Sequence, residues 1–304
     1  MSAAGLAISP AAAARDRREA LTAWLFSLPA LALLSVMLPL PALAVFFVAF
    51  TDWQLGNNSI HFAGTANFES VLKDPVFWTS LRNTLVYAVV VVPASMALGL
   101  GLALLVNAGP SLRGFYGAVF FLPFTASLVA MALVWQILLH PTIGPVNALL
   151  AMAGLPTHNF LHDPNLALPT LMVIGIWQLS GYAMLLNLAG LRAIPPDLYE
   201  AARMDGARGA WSRFTLVTWP QLGPTTLFVF VVSSMTALQV FETVAVLTKG
   251  QPARRTEVML YTIYNEGFVF LRTNYAAALM IIFLVVLCGV MLLNVLTLEK
   301  RVHY

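Results

Sequence analysis

"IPPDLYEAARMDGARGAWSRF", Ile194–Phe214, carries six charged side chains (Asp197, Glu200, Arg203, Asp205, Arg208 and Arg213) in a 304-residue chain that is only 10% charged. On either side Lys, Arg, Asp and Glu vanish: 164–191 before it and 214–241 after it hold none. Each run exceeds the roughly 20 apolar residues needed to cross a bilayer core. A charged segment between two such runs reads as a loop at a membrane surface, and the windows 20–51, 83–112, 114–162 and 273–298 are equally free of charge.

In hydrocarbon every backbone N–H and C=O must be paired internally, so these windows are expected to be helices. The period-2 alternation of a membrane barrel is missing from them. The chain therefore reads as an all-α polytopic membrane protein with six transmembrane helices, near 21–50, 81–107, 115–140, 166–189, 214–247 and 274–298. Composition agrees: 60% of the residues are hydrophobic and the mean hydropathy is +0.82, against about 45–50% apolar and about 25% charged in a soluble domain. Pro29, Pro39, Pro41, Pro93 and Pro123 are expected to kink helices or mark their ends. The window 114–162 is too long for one span, and its second half, "HPTIGPVNALLAMAGLP", reads as an external loop with a short surface helix. The first run outlasts the 7–15-residue core of a signal peptide, which favours an uncleaved span.

Basic residues set the orientation. With the N-terminus inside, Arg15, Arg17, Arg18, Arg113, Arg192, Arg203, Arg208, Arg213, Lys300 and Arg301 are cytoplasmic. Lys73, Arg82, Lys249, Arg254, Arg255 and Arg272 then face out, and the bias places both termini inside. The expected organisation is a cytoplasmic tail at 1–20, a membrane domain at 21–298 and a cytoplasmic tail at 299–304. The net charge of +3 is ordinary for a membrane protein and argues for the lipid bilayer, not nucleic acid, as a partner.

No P-loop, GxSxG or HExxH pattern occurs, so no catalytic residue is assigned, and the chain is expected not to be an enzyme. Cys288 reads as a small packing residue in the last span. His140, His158 and His162 cluster near one outer turn, where a zinc site or polar loop residues are the alternatives; the reading taken is polar loop, with no metal or cofactor bound by this chain.

Within the charged loop, "PPD" suits a helix start, with Asp197 complementing the positive end of the dipole. Leu198, Ala201 and Ala202 recur at i, i+3 and i+4 and give a small apolar face. Asp205-Gly206 then breaks the helix, a second short helix through Ala210–Thr218 follows, and Pro220 and Pro224 punctuate the start of the fifth span. The shape is a helix–turn–helix knob. The residues alone leave open whether it docks a partner or is simply solvated.

"EAARMDGA", then Phe214, then "WPQLGP", resembles the EAA signature of ABC importer permeases, E-A-A-x-x-D-G-A followed by an aromatic residue and L-P-x-L-x-P. The matching positions are Glu200, Ala201, Ala202, Asp205, Gly206, Ala207, Phe214, Pro220, Leu222 and Pro224; Trp219 stands where the family commonly has Leu. "AFTDW" at 49–53, "ANF" at 66–68, "DPVFWTSLRNTLVYAVV" at 74–90, "FFLPF" at 120–124, "GPVNALL" at 144–150 and "DPNLALP" at 163–169 are similar to carbohydrate-type permeases. So is "LTKGQP" at 247–252, apart from Gln251 where that group usually has Gly.

The resemblance implies a type I ABC importer permease fold in a bacterial inner membrane, importing a sugar, polyol or glycerol phosphate. It implies coupling helices at about 194–214, with Glu200, Ala201, Ala202, Asp205, Gly206 and Ala207 meeting a cytoplasmic ATPase. The implied partners are a second homologous permease, two ATPase subunits that bind ATP and Mg, and an external solute-binding protein, with "TKGQP" among the outer contacts. It also implies a substrate path at Gly175, Gln178, Leu179 and Tyr182 on the fourth span and Ser233, Thr236 and Val240 on the fifth. Trp177 or Tyr182 would stack on a sugar face, the alternative being that these polar groups only bond other helices. A gradient-driven transporter would carry an ionisable group inside a span, and a haem-bearing membrane subunit would carry paired histidines there; none of the six windows holds a Lys, Arg, Asp or Glu, and no span interior holds a His.

Overall fold

Each long charge-free run becomes helix. The computed structural model describes residues 10–109 and 113–298, and among these the extended structure is a single bridge between Thr51 and Phe62. The helices are α1 (Pro10–Met37), α2 (Pro39–Ala49), α3 (Ala66–Lys73), α4 (Pro75–Ala108), α5 (Arg113–Thr125), α6 (Leu128–Leu138) and α7 (Pro145–Met152). They continue as α8 (Ala167–Ala193), α9 (Pro196–Met204), α10 (Ala210–Arg213), α11 (Trp219–Gln221), α12 (Gly223–Leu238), α13 (Met259–Tyr264) and α14 (Thr273–Leu298).

Four helical stretches are long and apolar enough to cross a membrane unaided: Arg18–Ala49, Pro75–Ala108, Ala167–Ala193 and Thr273–Asn294. Counting two bent pairs as one span each completes six: Gly114–Thr125 with Leu128–Leu138, bent by 96°, and Ala210–Gln221 with Gly223–Leu238, bent by 67°. The first bend falls at Ala126–Ser127, where Ser127 is extended, just after Pro123 has removed one hydrogen-bond donor from α5. The second falls at Leu222, between Pro220 and Pro224.

Three boundaries differ from the sequence expectation. The segment 10–20 is helical and continuous with α1, so only part of the expected tail lies outside the described residues, as does 299–304. The second span starts earlier, because Pro75 occupies the first turn and the Asp74 carboxylate accepts the Val76 N–H at 2.8 Å. The fifth ends at Leu238, not near 247. Beyond it Val240, Val244 and Leu247 stay apolar because they are buried against Ala132 and Leu139 of the α6 region, not because the helix continues. The expected surface helix is α7, placed by Asn147, whose amide donates to the His158 carbonyl at 2.9 Å and whose oxygen accepts the His158 N–H at 2.9 Å.

The α4–α8 pair forms the centre. Ser95, Gly99 and Ala103 recur every fourth residue along α4 and are all buried, which lets backbones approach as small-residue stripes do in membranes. At Gly99 a Cβ would meet Ala183 Cβ at 2.6 Å, Met184 N at 2.8 Å and Ser180 O at 2.9 Å. A neighbouring seam joins α8 to α5, where a Cβ on Gly181 would run into the Phe120 carbonyl. By contrast α1 is exposed along its described length, with Trp24, Leu25 and Phe26 uncovered, as a lipid-facing helix must be. Cys288 is exposed on α14 and is not the packing residue expected.

Side chains tie the connecting loops to the spans. Asn67 donates to the carbonyls of Ala49 and Thr51, each at 2.8 Å, and accepts from Asn274 at 3.0 Å. Asn83 donates to the carbonyls of Arg254 and Glu257, and Thr84 accepts the Met259 N–H at 2.9 Å. The Tyr275 hydroxyl donates to Asp74 at 2.7 Å.

Gly99→Leu should therefore wedge α4 from α8, overpacking of this kind costing about 1–3 kcal/mol or more, whereas Gly101→Leu, with nothing within 4 Å of its Cβ position, should be tolerated. Thermal unfolding in detergent checks this: a clear fall in Tm is expected for the first variant and little change for the second.

Candidate functional site

The charged loop folds as the knob expected from its residues. Helix α9 has Asp197 in its first turn and Arg203 in its last, both favourable to the dipole. It stops at Gly206, whose φ of +93° lies in the region that disfavours side chains. The chain restarts at α10 and runs through a π-helical turn, Phe214–Thr218, into α11.

Of the six expected coupling residues, Glu200, Ala201, Asp205 and Gly206 are exposed and Ala202 is half-buried. Ala207 is only 5% exposed, folded under the knob with its N–H donated to the Ala202 carbonyl at 2.9 Å. The structure also divides the apolar face. Ala202 and Tyr199 turn inward against Ala103, Val106, Met184, Leu188 and Leu191, leaving Leu198 and Ala201 outside. Tyr199 completes the anchor with a 3.1 Å hydrogen bond between its hydroxyl and Thr218 Oγ1. Met204, 88% exposed, and Trp211, 74% exposed, stand out beside it. The knob thus has a fixed root and a bare apolar and charged tip.

Towards the other end of α8 lies a cavity of about 220 Å³. Five expected path residues line it: Gly175, Gln178, Leu179, Thr236 and Val240. Gly175 is glycine for a local reason, since a Cβ there would strike the Tyr87 hydroxyl. Three expected residues lie elsewhere. Trp177 packs edge-on to Trp135 with ring centroids 5.4 Å apart. Tyr182 stacks on Phe124 at 4.4 Å. Ser233 is fully buried, and its hydroxyl has no partner among the described residues. Gln178 and Tyr182 are one turn apart on α8, but Phe124 of the bent third span claims the tyrosine ring, which no pattern in α8 itself reveals.

The structure adds Tyr87, Val91, Leu128, Gln239, Glu242 and Thr243 to the lining. A signal for some of these existed: Ser233, Thr236, Gln239 and Glu242 recur every third residue. It is easily read as the solvated end of a helix, and Glu242 in particular belongs to the cavity wall.

The three histidines serve the loop around α7. His140 Nδ1 lies 3.2 Å from Thr142 Oγ1, His162 Nδ1 lies 3.1 Å from Asn159 Oδ1, and His158 sits edge-on to Phe160. Among the described residues no group of three or more His, Cys, Asp or Glu is arranged for a metal ion.

Comparison with known proteins fits this geometry. The chain is 36% identical over 261 residues to the lactose transport system permease protein of Rhizobium radiobacter, covering 84% of this chain and 86% of that one. It is 34% identical over 247 residues to the sn-glycerol-3-phosphate transport system permease protein of Agrobacterium fabrum, covering 81% and 84%. Its fold superposes on a chain of a bacterial ABC transporter involved in import of the acidic polysaccharide alginate, with a TM-score of 0.82, 26% identity and coverage of 94% and 98%. Residues 95–304 match the family described as binding-protein-dependent transport system inner membrane component. With a type I importer permease fold, a tethered EAA knob and that match, the chain belongs to the binding-protein-dependent transport system inner membrane components, the permease subunits of ABC importers.

Proposed function

We propose that this chain imports a sugar or a related polyhydroxylated solute, as one of two homologous permeases, using ATP bound with Mg on two separate ATPase subunits. An external binding protein delivers the solute to the outer loops, and both termini and the α9–α10 knob are cytoplasmic. The observation that carries this reading is mechanical. Tyr199 and Ala202 lock the knob to Met184, Leu188 and Leu191 of α8, and the same helix carries Gly175, Gln178 and Leu179 into the cavity.

At 1.5 Å per residue, α8 links the two sites as one rod of about 40 Å. Drawing two knobs together at the cytoplasmic face would tilt or shift that rod, changing which side of the membrane the cavity faces. This is a shift between two arrangements driven by ATP-dependent differences in how the knob is held, with no covalent step on this chain. The exposed tip, with Met204, Glu200 and Asp205, supplies both apolar area and charge for a soluble partner's groove. Gln178 and Thr236 supply hydroxyl- and amide-matched contacts for a sugar in the cavity.

Gly206→Val places a β-branched residue in a left-handed turn at a cost of about 1–3 kcal/mol. It should abolish uptake and solute-stimulated ATP hydrolysis while membrane insertion persists; wild-type transport by this variant would sink the coupling role. A cysteine replacing Met204 should crosslink to a cysteine in the ATPase groove, and one replacing Ala207 should not, because that position is covered. An impermeant thiol reagent added from outside should leave a cysteine at Gly206 unlabelled. For the path, Gln178→Ala should lower uptake about tenfold, the loss of a hydrogen bond or two, whereas Tyr182→Phe, which keeps the Phe124 stack, should transport normally.

A further inference from the structure

The cavity wall has a chemical bias. Its polar residues are Tyr87, Gln178, Thr236, Gln239, Glu242 and Thr243, and no Lys, Arg or His is among its lining residues. Glu242 is the charged member of that wall. It sits just past the end of α12, half-buried, and among the described residues no ion pair engages it. Next to it Thr243 is 5% exposed and its hydroxyl is closed off from the cavity, which leaves Glu242 as the group that distinguishes this wall.

We infer that Glu242 is the specificity-determining residue of this cavity, selecting a neutral polyhydroxylated solute and excluding anionic ones. The inference rests on the proposed role of the cavity as the translocation path. An ionised carboxylate only accepts hydrogen bonds and can take two donors at once. Neighbouring hydroxyls on a sugar ring offer that pair of donors, and hydrogen bonds to a charged acceptor are the stronger kind. Gln178 and Gln239 each present a donor and an acceptor, so they suit hydroxyls used in either sense. A phosphate or carboxylate on the solute would instead meet a like charge in surroundings less polar than water, with no cation on this wall to neutralise it. Two of the similar proteins have anionic solutes in their names, sn-glycerol-3-phosphate and alginate, and one has a neutral sugar, lactose. The chemistry of this wall sides with the neutral class.

The test uses the intact transporter, with its second permease, ATPase subunits and binding protein, reconstituted in vesicles. Lactose and trehalose are the neutral probes and sn-glycerol-3-phosphate the anionic one. The wild type should take up at least one neutral probe at least tenfold faster than the phosphate. Glu242→Gln, nearly isosteric, should lower that uptake about tenfold and Glu242→Asp should retain more of it, each in complexes that elute intact on gel filtration. Faster entry of glycerol-3-phosphate, entry of neither neutral probe, or unchanged neutral uptake by Glu242→Gln overturns the inference. Gln178→Ala, measured in parallel, separates the two levels. If it impairs uptake while Glu242→Gln does not, the cavity remains the path and only the specificity assignment falls. If neither variant affects uptake, both fall.

Discussion

At Gly99 the backbones of α4 and α8 approach so closely that an added methyl group would meet Ala183 Cβ at 2.6 Å. No hydrophobic force separates helix from lipid inside a membrane, so helices there associate through van der Waals contact and interhelical bonds, both of which need close approach. The stripe of Ser95, Gly99 and Ala103 supplies it. That crossing holds α8 at a fixed height and rotation. It therefore decides that Gly175 faces Tyr87 at the cavity and that Leu188 and Leu191 face Tyr199 at the root of the knob.

The two ends of α8 carry different chemistry for a physical reason. Near its N-terminal half the helix meets residues that leave regular helix: α12 stops at Leu238, and Gln239 to Phe241 are non-helical before helix resumes at Glu242. Irregular backbone within a membrane bundle is tolerated where it lines a cavity or is buried in protein, and Gln239 and Val240 line the cavity. Near its C-terminal end the helix meets a compact apolar cluster that grips the knob by one tyrosine and one alanine. Among the described residues Met204 and Trp211 at the knob's tip remain uncovered.

The face of the bundle away from the knob is held by polar side chains rather than by apolar packing alone. Asn67, Asn83, Thr84 and Tyr275 each bond to a backbone or side-chain group far away in sequence. Asn67, Asn83, Thr84 and the Asp74 partner of Tyr275 sit inside the stretches that resemble carbohydrate permeases, so that part of the resemblance reflects loop architecture as much as function. In and just after the "LTKGQP" loop the left-handed residues Lys249, Gly250, Ala253 and Arg254 are held by Thr256, whose hydroxyl donates to the Gln251 carbonyl at 2.7 Å and lies 2.8 Å from Thr248 Oγ1.

Charge spacing alone determined that this chain is a bundle of membrane-crossing helices, because a charged side chain in hydrocarbon is too costly to be placed casually. The local grammar of "PPDLYEAARMDGA" likewise determined the knob: a proline-led helix start, an acidic first turn and a left-handed glycine stop are all satisfied within a dozen residues. Tertiary structure decided the rest. Tyr182 and Gln178 share a helix face, but Phe124 arrives from a span bent by 96° and takes the tyrosine. Leu198 and Ala202 share an apolar face, but only Ala202 finds the feet of α4 and α8. Glu242 reads as a solvated helix end until Val240 and Val244 are seen buried against α6 and Glu242 is found among the residues lining the cavity. In each case the deciding partner lies tens of residues away, and local periodicity carries no information about which distant surface a side chain will meet.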